Sequence, residues 1–283
     1  MRIDLHTHSN LSDGTSPPAA LIASAAAAGL DVVALTDHDT TAGWEPAAAS
    51  LPPGMTLVPG MELSCRWYGP DHPIGLHLLG YLFDPYHEEL SAEMKRIRDS
   101  RDRRAERMVG LLRADGIDVT WQEIQGYAVG GVVGRPHLAQ ALIKRGLVDS
   151  VSAAFAPEWL GRRYRVPKED VDVFRGLRLI RDAGGVAVFA HPQARSRGLI
   201  VPDELIGELA QAGLYGIEAD HPDHGPAERE HVRRLAKELD LVVTGSSDYH
   251  GDNKLTRLGE NTTAREAYEQ LVAAGGGAPL VGG

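Results

Sequence analysis

Histidines and acidic residues recur at the ends of apolar runs in this sequence, with the spacing of metal ligands. Asp4-Leu5-His6-Thr7-His8-Ser9 sets His6 and His8 two apart. On an extended segment such residues face one side, so the two imidazoles are presented together to a transition-metal ion. Asp13 follows in Ser12-Asp13-Gly14, a turn that returns a carboxylate toward the same strand end, although an Asp there is also an ordinary turn residue. His38 stands in Thr36-Asp37-His38-Asp39-Thr40, where Asp37 and Asp39 either orient it or cap the next helix. Glu62 ends Leu57-Val58-Pro59-Gly60-Met61-Glu62, and His77 lies between apolar neighbours in Gly75-Leu76-His77-Leu78-Leu79. His191 closes Val186-Ala187-Val188-Phe189-Ala190-His191, and Asp248 and His250, again two apart, follow Val242-Val243-Thr244. Taken singly, each is more often structural than functional. Jointly, six strand ends finishing in His, Asp or Glu are not explained as caps and satisfied core groups.

Six imidazoles and three carboxylates exceed the needs of one ion, since zinc takes about four ligands and manganese about six. Two or three clustered ions sharing a carboxylate is the economical reading. Such nitrogen/oxygen sites serve hydrolysis, above all of phosphate esters, where the ions hold both the attacking and the leaving oxygen. The single Cys65 excludes thiolate chemistry and a disulfide scaffold.

Groups of this kind gather at the carboxyl ends of strands in parallel α/β folds. Residues 3–6, 32–35, 55–59, 76–82, 186–190, 215–219 and 241–244 read as strands. Residues 17–28 (Ser16 as cap, Pro17 in first position), 41–49, 202–212, 226–239 and 264–273 read as helices. The alternation predicts an α/β fold on a mostly parallel sheet or barrel. Between residues 88 and 182 there is no strand pattern. Leu90, Met94, Ile97, Ala105, Met108 and Leu112 recur at helical spacing, and 136–145 and 167–181 also read as helical. The expected organisation is a barrel from 1–87 and 183–283, interrupted by a helical insertion, 88–182. The glycine-rich end, 275–283, is expected to fray.

The 283 residues, 43% apolar and 24% charged, fit one large domain or a core with an insertion. No apolar run nears the ~20 residues of a membrane span, and the chain opens directly into a strand-like segment. A cytoplasmic protein without membrane or stable protein partners is therefore expected. A net charge of −10 argues at face value against polyanionic partners. The charge is uneven, however. Residues 88–182 hold 18 basic against 15 acidic residues, and the remainder 11 against 24.

Asp-Leu-His-Thr-His-Ser (4–9), Thr-Asp-His-Asp-Thr (36–40), Ala-His-Pro (190–192) and Ser-Asp-Tyr-His (247–250) resemble the four motifs of the PHP (polymerase and histidinol phosphatase) superfamily, in order along nearly the whole chain. Val133-Gly134-Arg135-Pro136-His137-Leu138-Ala139 and Gly216-Ile217-Glu218-Ala219-Asp220-His221-Pro222-Asp223-His224 look like the stand-alone bacterial PHP phosphoesterases. The resemblance implies a distorted (β/α)7 barrel holding three divalent ions (Mn, Fe or Zn), with the helical insertion as lid and substrate-binding part. The first ion would take His6, His8, Glu62 and Asp248. The second would share Glu62 and add His77 and His191, and the third would use Asp13, His38 and His250. The implied activity is hydrolysis of nucleoside 3′,5′-bisphosphates, AMP-like nucleotides or short RNA 5′ ends, by a hydroxide bridging two of the ions.

Arg135 and His137 match the family's phosphate-contacting pair, and His137 and His221 are the alternatives for protonating the leaving group. Arg163, Lys168, Arg195 and Arg197 have no family counterpart and read as surface charges or additional phosphate contacts. A histidinol-phosphate phosphatase, or a non-catalytic metal- or nucleotide-binding module, are the competing readings. The 135–139 motif and the insertion speak against the first, and the complete ligand set against the second.

Overall fold

Val32-Val33-Ala34-Leu35 is apolar on both faces and wholly buried, the mark of a strand between a barrel interior and a helical layer. In the computed structural model, which describes residues 1–128, 131–167 and 169–283, Val33 and Leu35 pack outward with Leu21, Ile22 and Ala25. Val32 and Ala34 cluster with Ile3, Leu5, Val58, Leu79, Tyr81, Val186 and Val188 in the interior.

The elements run β1 (Ile3–Asp4), α1 (Pro18–Ala27), β2 (Val32–Leu35), α2 (Trp44–Ala48), β3 (Thr56–Tyr68), β4 (Pro73–Tyr81) and α3 (Glu88–Ala114). Then come α4 (Trp121–Tyr127), α5 (Arg135–Lys144), α6 (Val151–Ala154), β5 (Val171–Asp172), α7 (Val173–Asp182) and β6 (Val186–Phe189). The chain ends with α8 (Asp203–Gln211), β7 (Gly216–Asp220), α9 (Pro226–Glu238), β8 (Val242–Gly245), α10 (Arg265–Ala274) and β9 (Val281–Gly282).

The sheet order is β1-β2-β3-β4-β6-β7-β8, and a parallel bridge between Thr7 and Tyr249 brings its two ends together into a nearly closed barrel of seven strands. β1–β2–β3 and β6–β7–β8 pair in parallel, whereas β4 is antiparallel to both neighbours. That reversed strand is the distortion of an otherwise parallel α/β barrel. Tyr81 on it donates its hydroxyl to Leu5 O at 2.8 Å. Among the described residues no helix is long and apolar enough to cross a membrane.

α3 joins two cores. Its first half (Leu90, Met94, Ile97) packs with the hairpin residues Leu63, Cys65 and Leu78 and with Leu177 and Ile180 of α7. Its second half (Ala105, Met108, Leu112) packs instead with Val119, Ile124, Leu138, Leu142, Leu160 and Tyr164, a separate apolar cluster within the helical segment. The segment also touches the barrel's site end, where Val132 N donates to Leu11 O at 2.9 Å.

Several local expectations are corrected. β3 does not stop at Pro59 but runs to Tyr68 and folds back as β4, so a long hairpin stands beyond the ring. Pro59 is tolerated because it lies where β3 exchanges its parallel partner β2 for antiparallel β4. α1 begins one residue later than read, with Pro17 as cap and no Ser16 side-chain bond. Residues 171–172 form a short strand on β3 before α7, where the sequence read as helix from 167. The glycine-rich end is not frayed. Gly277 N donates to Leu82 O (2.8 Å), a Cβ there would collide with backbone at Ala183 and Asp84, and Val281 and Gly282 pair with Leu57 and Thr56. Deleting residues 276–283 is expected to lower the thermal midpoint by roughly 4–8 °C, corresponding to about 2 kcal/mol. Scanning calorimetry checks this, and an unchanged midpoint would show that the tail contributes nothing.

Candidate metal centre

The nine ligand-type side chains meet at one end of the barrel. Seven are buried, while Asp13 and His77 are partly exposed. His6 and His8 follow β1 directly, and their extended backbone sets the two Nε2 atoms 3.0 Å apart. His38 follows β2 and forms an isolated parallel bridge with Glu62. Glu62 and His77 are not at strand ends, as the sequence implied. They lie inside the β3–β4 hairpin, at adjacent registers (Glu62 opposite Leu79, Ser64 opposite His77). The hairpin thus lifts one face of two strands over the barrel mouth. After β2, β6 and β8 the chain kinks through left-handed Asp39, His191 and Asp248, with φ of 56°, 34° and 49°. Such backbone is strained for non-glycine residues and persists where the surroundings hold it, as it does at functional sites.

Glu62 is the hub. Its Oε2 lies 3.3 Å from His6 Nε2, 3.1 Å from His8 Nε2 and 3.3 Å from His38 Nδ1. Its Oε1 lies 2.6 Å from His77 Nδ1 and 2.9 Å from His191 Nε2. Asp248 Oδ1 completes the first group, 3.3 Å from both His6 and His8 Nε2. Asp13 gathers a third, with Oδ1 3.2 Å from His250 Nε2 and 3.6 Å from His8 Nδ1, and Oδ2 3.6 Å from His38 Nε2. His8 and His38 therefore each stand between two groups.

The donor set fits divalent ions. A tetrahedral ion with ligands about 2.0–2.1 Å away has ligand–ligand edges of about 3.3–3.4 Å. The atoms of the first group are 3.0–3.3 Å apart along five edges. Among the described residues Asp248 Oδ1 and His38 Nδ1 are buried with no hydrogen-bond partner, a cost of about 1–3 kcal/mol each that a cation would remove. Burial alone would raise the Glu62, Asp13 and Asp248 carboxyls, yet the surrounding cationic groups hold all three well below the usual range. Burial pushes His38 and His191 well down and lowers His250, against the pull of the carboxylates beside them. For His6 burial acts in the same sense, but Asp248, Glu62 and Glu218 outweigh it and hold the ring well above its ordinary value.

A layer of buried carboxylates orients this set. Glu218, on β7, accepts from His191 N (2.8 Å), faces His6 Nδ1 at 3.2 Å and bonds the Ser246 hydroxyl. Nothing local in the sequence assigns Glu218 this role; a Glu in the buried run Gly216-Ile217-Glu218-Ala219 is its one signal. Asp4 accepts from Ser247 N (3.0 Å) and Gly259 N (2.8 Å), tying the β8 end to β1. Asp37 takes Ser9 N and Oγ and Ser12 Oγ at 2.6–2.8 Å, so it orients the loop carrying Asp13 and does not cap a helix. Asp39 takes Ser64 N (2.7 Å) and Arg101 Nε (2.9 Å), fastening α3 to the hairpin.

The two histidines considered for proton transfer have different settings. Gly134 N donates to His137 Nδ1 at 3.0 Å, leaving its proton on Nε2, which has no partner among the described residues. Asp223 N likewise donates to His221 Nδ1 at 3.0 Å, but His221 Nε2 faces Asp248 Oδ2 at 3.3 Å. Arg135 lies over the Phe155 ring, 4.7 Å from its centroid. Burial and then the Arg165 and Arg101 charges push Arg135 down to about 10; burial, Arg135 and Arg101 push Arg104 down to about 9. Neither Arg104 nor Arg135 has a carboxylate partner among the described residues, and sequence reasoning missed Arg104. Arg163 instead pairs with Asp115 at the surface, and the Arg195 side chain makes no ion pair among the described residues. Arg197 reaches Asp248, and Lys168 lies outside the described residues.

An α/β barrel whose mouth is packed with imidazoles around a shared carboxylate defines a metal-dependent hydrolase. Residues 4–98 match the PHP domain family. A 5′-3′ exoribonuclease of Haemophilus influenzae is 33% identical over 92% of this chain and 94% of its own length. A 3′,5′-nucleoside bisphosphate phosphatase of Chromobacterium violaceum is 32% identical over 88% and 87%. A crystal structure from Bifidobacterium adolescentis, provisionally assigned as a metal-dependent phosphoesterase, superposes with a TM-score of 0.89 at 33% identity, covering 97% of this chain and 96% of the other. The chain belongs to the PHP family, and it is a metal-dependent phosphoesterase.

Glu218→Gln removes the charge behind His6 while keeping the shape. Metal affinity, measured by chelator competition, is expected to fall 10–100-fold. Wild-type affinity would show that Glu218 does not support the centre.

Proposed function

We propose that the protein hydrolyses phosphate esters of small nucleotides, either nucleoside 3′,5′-bisphosphates and related mononucleotides or the 5′ ends of short RNA, with three divalent ions (Mn, Fe or Zn) at the barrel mouth. The observation that carries this is the division of Glu62: one oxygen faces His6, His8 and His38, the other His77 and His191. A carboxylate placed this way would be available to two ions. His6, His8, Glu62 and Asp248 would hold the first, Glu62, His77 and His191 the second, and Asp13, His38 and His250 the third. When bound, the ions lower the pKa of water toward neutrality and offset charge on the phosphoryl group.

The chain's own residues supply the remainder. Asp13, Glu62 and Asp248 keep the centre anionic enough to retain several ions. Arg135, at the start of α5, contacts phosphoryl oxygens, where a guanidinium without a carboxylate partner gains most from an arriving anion. His137, on the same turn, offers Nε2–H to the phosphoryl group or the leaving oxygen. His221 offers Nε2–H to Asp248 and is a positioning residue. The helical segment that carries Arg135 and His137 acts as the lid and substrate-binding part, which excludes water around the ester.

Two measurements test this. Purified protein is expected to hold more than one ion per chain by elemental analysis and to release phosphate from adenosine 3′,5′-bisphosphate or from 5′-phosphorylated oligoribonucleotides. Glu62→Gln is expected to lower both metal content and turnover, the latter by roughly 10²–10³-fold or more. Full turnover with Glu62→Gln would contradict the shared-carboxylate reading. Arg135→Ala is expected to raise KM by roughly tenfold or more with metal content unchanged; an unaltered KM would remove Arg135 from the substrate site.

A further inference from the structure

One oxygen of Asp248 collects more positive charge than its position requires. Asp248 is buried, and its Oδ1 faces His6 and His8 Nε2 and His250 Nδ1 with no hydrogen-bond partner among the described residues. Its Oδ2 receives Arg197 Nη2, Lys254 Nζ (2.6 Å) and, 3.3 Å away, His221 Nε2. The two cations come from separate loops. Arg197 sits on the single helical turn Arg195–Arg197 after β6, and Lys254 just beyond the turn Gly251–Asn253 after β8. Arg197 is fixed by a second bond, Nε to Asp223 Oδ2 at 2.6 Å.

Positioning Asp248 does not need both cations. His221 already holds Oδ2, and the left-handed backbone at Asp248 aims the side chain. Two basic groups balance Asp223 and Asp248 only while Asp248 keeps its charge for Oδ2. A cation held by Asp248, His6 and His8 would add positive charge beside Oδ1, and the pair would then be in excess. Spare donors remain: Arg197 Nη1 has no hydrogen bond among the described residues, and Lys254 uses one of its three N–H groups. The two side chains are 31% and 30% exposed, so part of each is open to solvent while their shared acceptor is buried. A guanidinium fork beside an ammonium is a recognition pattern for phosphoryl oxygens.

We propose that Arg197 and Lys254 form a phosphoryl clamp, which binds the non-bridging oxygens of the ester at the centre and retains the inorganic phosphate released. This rests on the phosphoesterase reading but is tested apart from it. Inorganic phosphate is titrated calorimetrically into metal-loaded wild type, Arg197→Gln, Arg197→Lys and Lys254→Gln, with metal content measured on each sample. The clamp predicts phosphate affinity weakened roughly tenfold or more in Arg197→Gln and Lys254→Gln, partly kept in Arg197→Lys, with metal content unchanged. In turnover, KM should rise more than kcat falls.

Wild-type phosphate affinity in both neutral variants would overturn the clamp. So would affinity lost only in step with lost metal, since the two residues would then merely position Asp248. If wild type binds phosphate through this pair yet hydrolyses no ester, the clamp stands and the phosphoesterase reading fails. If wild type hydrolyses esters and the variants bind phosphate normally, the clamp alone fails.

Discussion

A carboxylate that is 1% exposed and faces five imidazoles is the constraint on which the rest of the structure depends. Leaving water costs an ionised carboxylate several kcal/mol unless partners of opposite charge stand close and in good geometry. Glu62 has such partners because the barrel brings distant parts of the chain to one mouth. His6 and His8 arrive from β1, His38 from β2, His77 from the facing strand of the hairpin and His191 from β6. The reversed strand β4 is what makes this geometry possible. Running antiparallel, it extends past the ring with β3 and carries His77 and Glu62 on one face. The cluster is then fixed from behind by Glu218, Asp4 and Asp37, each bonded to backbone or hydroxyl groups of the ligand-bearing loops. These bonds hold the ligand-bearing loops in register.

Much of the centre was legible in the sequence because it obeys short-range rules. His6 and His8 share a face since side chains on extended backbone alternate. His38, His191 and Asp248 follow β-branched or apolar runs that had to be strands. Glu62 and His77 were recognised by type, but their setting was not. A proline at position 59 reads as a strand end, and only the change of partner from β2 to β4 explains how the strand continues through it. Asp248 and His250 are two apart, yet they serve different groups, because the positive φ at Asp248 breaks the alternation the spacing implied.

The roles of Glu218 and Lys254 were not readable for a different reason. Each depends on a partner far along the chain, and no local pattern distinguishes Lys254 from a surface lysine until Asp248 is seen 2.6 Å away. The glycine-rich terminus illustrates the opposite error. Composition there implied fraying, whereas the missing Cβ of Gly277 is what lets backbone pack on backbone.

The net charge of −10 is a property of the exterior and poorly describes the mouth. Three carboxylates there are faced by imidazoles and, at Asp248, by Arg197 and Lys254. Divalent ions would make the region strongly cationic, as a phosphate substrate needs. The most direct measurement of the account is anomalous X-ray scattering from crystals of the metal-loaded protein. The account predicts three peaks, two of them sharing Glu62 through its separate oxygens. A single ion, or ions bound without Glu62, would contradict it.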